Sequence, residues 1–147
     1  HREDLIVQLG GDVANRLMAT SLEDFDPDVA FAEGLRKQWV NRIAFFNKHP
    51  MDVQFVEQIR YTHYYEVIQA NMTTNFKTVM GKFVHNAIKR KELVELPFEV
   101  FWSIAYSPLY QLMKFHTQGQ SYVNRKFVMT DRIMTQTLQL VLKALKP

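Results

Sequence analysis

Apolar positions recur along this chain at helical spacing, and no stretch sustains the alternation of a strand. The pattern predicts an all-α bundle of about six helices. The first runs from Arg2 to Thr20, with Leu5, Ile6, Leu9, Val13, Leu17 and Met18 on one face. Gly10-Gly11 interrupts it, each glycine costing about 1 kcal/mol against alanine. The pair reads as a local weakening, a close packing contact or a hinge. Asp26-Pro27 reads as N-cap and first helical residue of a second helix that reaches Lys48. Its apolar face carries Phe31, Leu35, Trp39, Ile43 and Phe46, and His49-Pro50 ends it.

A short helix follows from Met51 to Arg60, then a tyrosine-rich bend at Tyr61–Tyr65 leading to another short helical segment. Thr73 or Thr74 caps the most regular amphipathic stretch, with Phe76, Val79, Met80, Phe83, Val84, Ala87 and Ile88 on one side and His85 opposite. A further helix is expected from Leu96-Pro97 to Gly119, kinked at Pro108, where proline frees the Ile104 carbonyl. The last is expected from Tyr122 to Lys146 and carries two apolar stripes. One holds Val123, Phe127, Met134, Leu138, Val141 and Leu145, the other Tyr122, Met129, Ile133, Leu140 and Ala144. The opposite arc holds Asn124, Arg125, Arg132, Gln136, Gln139 and Lys143. A helix with two apolar faces is either central to its own core or shared with a symmetry mate. The dimer is the favoured reading, with Tyr110, Tyr122, Met129, Ile133 and Leu140 at the interface.

Composition narrows the function classes. The 147 residues suit one domain with one core. Cysteine is absent, which excludes disulfides, iron–sulfur clusters and thiolate zinc sites and fits a cytoplasmic protein. No apolar run is long enough to span a bilayer. The net charge of +3 is spread along the chain, and its densest run, Lys89-Arg90-Lys91, reads as the cationic end of a helix rather than a phosphate patch.

No phosphate-binding glycine loop, nucleophile elbow or zinc motif occurs. The five histidines include no pair at helical ligand spacing. No catalytic residue, metal site or cofactor is therefore assigned, and the chain is not expected to be an enzyme. What stands out is aromatic richness. Trp39, Phe46, Phe76, Phe83, Trp102 and Tyr106 lie on or near inward faces. They read either as core or as a ring-lined pocket between helices with a few polar tips.

His1-Arg2-Glu3-Asp4-Leu5-Ile6 resembles the junction of TetR-family transcriptional regulators, where a charged Glu-Asp-Leu segment opens the long helix after the DNA-reading head. The His49-Pro50 break, the amphipathic helix ending near Lys91 and the two long final helices are similar in order and length to that family's regulatory domain. The run Lys89-Arg90-Lys91 replaces a frequent glycine, and Ser107-Pro108 replaces small residues. The resemblance implies that residues 1–147 form one regulatory domain whose helix-turn-helix head lies outside this chain. It further implies a homodimer joined by a four-helix interface and a small-molecule effector, DNA being contacted only through the head. Gly10 and Gly11 would absorb the helix shift. The alternative is a stand-alone adaptor that binds a partner protein through its apolar final helix.

Overall fold

The computed structural model describes residues 1–119, 121–123 and 126–147. They form eight α-helices, with no strand among the described residues: α1 (Arg2–Ser21), α2 (Phe31–Lys48), α3 (Pro50–Ile59), α4 (His63–Ala70), α5 (Thr74–Lys89), α6 (Phe98–Ala105), α7 (Ser107–Gln118) and α8 (Asp131–Leu145). The all-helical expectation holds, with more and shorter helices. Helix α2 is the hub, packing against α1, α3, α5 and α7, while α1 also covers α3 and α4, and α6 lies between α7 and α8. One apolar cluster links α1, α2, α5, α6, α7 and α8, from Val13 and Leu35 to Leu138 and Leu145.

Local chemistry explains each departure from the pattern. Helix α2 begins at Phe31, not Pro27. Asp26 instead closes a turn, its Oδ1 accepting from the Asp28 N–H at 2.9 Å and its carbonyl accepting from the Val29 N–H at 3.3 Å. The free N–H of Phe31 finds Glu92 Oε1, 61 positions away, at 3.2 Å. Arg90 clamps the same loop, donating to the Asp28 and Val29 carbonyls and to Glu92. The basic run is thus a helix end with a structural task.

The long helix expected from Leu96 to Gly119 is two. Helix α6 stops at Ala105, and Tyr106 (φ −122°) breaks the spiral before α7 starts with Pro108 in its first turn. The Ala105 carbonyl left at the break accepts the Trp39 indole N–H at 2.9 Å. The final helix also starts later than expected, at Asp131, with the Thr130 hydroxyl accepting from the Ile133 N–H at 3.2 Å. Residues 126–130 are non-helical, so Tyr122 and Met129 do not continue the Ile133–Leu140 stripe at helical spacing. Asn124 and Arg125, expected on the polar arc, lie outside the described residues. Phe115 holds the connection down, its ring lying 5.7 Å from that of Tyr122 and 6.0 Å from that of Phe127.

Two glycines are set by close approach. A Cβ on Gly34 would come within 2.3 Å of the Phe83 ring, and one on Gly10 within 2.7 Å of Ile59 and Ile68. Helix α1 runs unbroken through Gly10-Gly11, and Gly11 has no neighbour within 4 Å of its would-be Cβ. The pair is a seating contact for α3 and α4 beside an open position.

Candidate functional site

The apolar stripe of α2 carries two polar side chains that belong there by spacing. Gln38 and Arg42 are one turn apart, between Leu35 and Phe46, and both are wholly buried. A buried cation normally sits beside a carboxylate. Among the described residues Arg42 has no ion pair. Its two hydrogen-bond partners are neutral: the Tyr110 hydroxyl at 2.6 Å and Gln38 Oε1 at 3.0 Å.

Aromatic faces replace the missing charge. The guanidinium carbon lies 4.7 Å from the Tyr106 ring centroid, 5.5 Å from that of Trp102, and 6.0 Å from those of Phe76 and Tyr110. The rings also pack on one another, Trp102 on Tyr106 at 4.4 Å and Phe46 on Tyr110 at 5.3 Å. Elements far apart in sequence build this cage: α2 supplies the cation, α5 supplies Phe76, and the α6–α7 break supplies Trp102, Tyr106 and Tyr110. The break matters. Tyr106 adopts its non-helical backbone there, and the Trp39 indole holds the preceding residue in place.

The cage is not fully satisfied. Among the described residues, three of its buried polar atoms find no partner: Gln38 Nε2, Arg42 Nε and the Tyr106 hydroxyl. Burial pushes the Tyr106 phenol far above its ordinary value, with Arg42 pulling the other way, so the hydroxyl keeps its proton. Trp102 and Tyr110 are half-buried and form the outer wall, whereas Gln38, Arg42 and Tyr106 have no exposed surface. Two surface depressions lie elsewhere, one lined by Asp24, Phe25 and Arg36, the other by Phe31, Lys91 and Lys146.

Five of the six residues expected to line a pocket, Trp39, Phe46, Phe76, Trp102 and Tyr106, fall in or directly against the cage. Phe83 does not. It stacks on Phe31 at 5.4 Å and meets Phe25 edge-on at 5.0 Å, against Gly34. Tyr110, assigned from sequence to a dimer interface, turns its hydroxyl to Arg42. The other interface candidates vary. Tyr122 is 97% and Leu140 69% exposed, while Met129 and Ile133 are half-buried. The Met129 N–H donates to His116 Nδ1 at 3.0 Å, tying the connection back to α7. Sequence reasoning passed over Gln38 and Arg42. The available signal was their i, i+4 placement on an apolar stripe. No group of three or more metal-binding side chains occurs among the described residues, and none of their helices is long and apolar enough to cross a membrane.

The arrangement of the helices is a TetR-like fold. A solved TetR family transcription regulator from Marinobacter aquaeolei VT8 superposes on 98% of this chain with a TM-score of 0.71, at 16% sequence identity and over 72% of its own length. At that identity the likeness is one of fold. No family model matches the sequence, and no curated protein does.

Proposed function

We propose that this chain is the effector-sensing and dimerisation module of a TetR-like transcriptional regulator, acting as a repressor in the cytoplasm. The observation that carries the reading is the superposition on a TetR family regulator over 98% of the chain. The effector is a small apolar or aromatic molecule, and the site proposed for it is the ring cage around Arg42, where aromatic walls enclose a few fixed polar groups. Trp102 and Tyr110, the half-buried wall, move aside to admit it.

The relay is assigned to α1, which packs on α2, α3 and α4, with Gly10-Gly11 as its point of yielding. A ligand that binds one arrangement of these helices better than the other shifts the population by that difference. In this reading DNA contact belongs to a helix-turn-helix head, as the resemblance to the family implies. Homodimerisation is assigned to α7, α8 and their connection, and exposed Leu140, Val128 and Tyr122 support it.

Two measurements on the chain test this. Sedimentation equilibrium should give twice the 17.4 kDa chain mass, and Leu140→Arg should return it to the monomer. A monomer at tens of micromolar would remove the dimer and favour an adaptor with a free apolar helix. Thermal denaturation with 1-naphthol, an apolar aromatic probe, should show a concentration-dependent rise in Tm. No rise with this or other apolar aromatic probes would remove the sensing role.

A further inference from the structure

The three unpartnered atoms of the cage have one thing in common: each is a hydrogen-bond donor. Arg42 Nε and Gln38 Nε2 can only donate, and the protonated Tyr106 hydroxyl has a hydrogen to give. The Gln38 amide is not free to turn over, because its oxygen accepts from Arg42 at 3.0 Å and reversal would set N–H against N–H. The three side chains touch, through that bond and through the guanidinium over the Tyr106 ring at 4.7 Å. The cage therefore lacks an acceptor, and its one formal charge is positive with no counter-charge among the described residues.

Resting on the sensing role proposed above, we infer that the effector is a monoanion: a carboxylate on an apolar or aromatic body. A carboxylate carries a single negative charge and two acceptor oxygens with about four lone-pair sites. That matches one guanidinium edge flanked by an amide N–H and a phenol O–H. A phosphate dianion would bring more charge than one arginine balances. Its carbon body would take the place of the Trp102–Tyr110 wall against Phe76 and Phe46. Arg42 itself is held by ring faces and two neutral partners, which leaves its charge for an anion to balance.

The test compares an acid with its neutral amide, nearly identical in shape. Phenylacetate and phenylacetamide are titrated into the intact chain by calorimetry, alongside 1-naphthol. Phenylacetate should bind about ten- to a hundredfold more tightly than the amide, the range of a charge-assisted hydrogen-bond pair. Arg42→Met should abolish that preference, so that acid and amide bind alike. Should Arg42→Met not fold, Tyr106→Phe takes its place and should reduce the preference severalfold.

Equal binding of acid and amide would overturn the anion assignment and leave the sensing role intact, the donors then serving a neutral acceptor. A preference that survives both substitutions would overturn the assignment to this cage. If 1-naphthol binds and neither phenylacetate nor the amide does, the anion assignment falls alone. If none of the three binds, it falls together with the sensing role.

Discussion

The interior has two aromatic ends that look alike in sequence and differ in physics. At one, Phe25, Phe31 and Phe83 pack ring on ring with a glycine cut to fit, and the cluster contains no polar atom. At the other, Phe46, Phe76, Trp102, Tyr106 and Tyr110 surround an arginine and leave three donors unanswered. The first end spends its rings on close packing, which favours one compact state. The second keeps a desolvated charge, which weakens the resting fold and rewards an incoming acceptor. Aromatic content alone does not mark a site; unsatisfied polarity inside it does.

Hollowing out each end in turn should separate the two most strongly. Phe83→Ala should cost about 3–5 kcal/mol of unfolding free energy, as for a filled core ring. Arg42→Met removes a buried cation but strands Gln38 Oε1, and should cost no more than about 1–3 kcal/mol, less than the Phe83 loss. Urea denaturation of both variants checks the pair. Equal losses would mean that Arg42 is an ordinary structural pin.

A smaller contrast separates the two neighbouring glycines of α1. Gly10→Ala should destabilise by about 1–3 kcal/mol, because its methyl meets Ile59 and Ile68. Gly11→Ala, facing open space within a helix, should stabilise by up to about 1 kcal/mol. Matching signs in thermal melts would refute the seating role of Gly10.

A further contrast is alkaline. The Tyr106 value is raised above its unfolded value of 10.0, so its contribution is whole below pH 10 and is lost as pH climbs toward the raised value. Tyr106→Phe should flatten the decline above pH 10 by up to about 1.4 kcal/mol per pH unit. At neutral pH it should change stability by less than about 1 kcal/mol, since the hydroxyl it removes has no partner. An unchanged alkaline slope would place Tyr106 in a wetter setting.

Much of the fold was legible because helical periodicity is a local property. The face of α5, buried at Phe76, Met80, Phe83 and Ala87, follows from spacing alone. The misplaced ends share a different cause. Asp26-Pro27 looks like a helix start, but the true start at Phe31 is served by Glu92 from across the chain. Pro108 marked the break between α6 and α7, yet its depth depends on the Trp39 indole capturing the Ala105 carbonyl. The start of α8 was readable at Thr130-Asp131, and the continuous apolar pattern hid it.

In the site, the rings were legible as inward-facing residues. The assembly of Trp102, Tyr106 and Tyr110 over Arg42 was not, because it depends on how far the chain turns at Tyr106. Nor can any sequence pattern say that a buried arginine meets no acid among the described residues. That is a fact of tertiary packing, and the site rests on it.

On the proposed reading, ligands enter the Arg42 end and leave the Phe83 end undisturbed. Nuclear magnetic resonance of the labelled chain, recorded with and without saturating 1-naphthol, tests this directly. The Trp102 indole and Arg42 guanidinium signals should shift most, with the Phe25, Phe31 and Phe83 ring signals unmoved. Shifts centred on those three phenylalanines, with Trp102 and Arg42 unchanged, would contradict it.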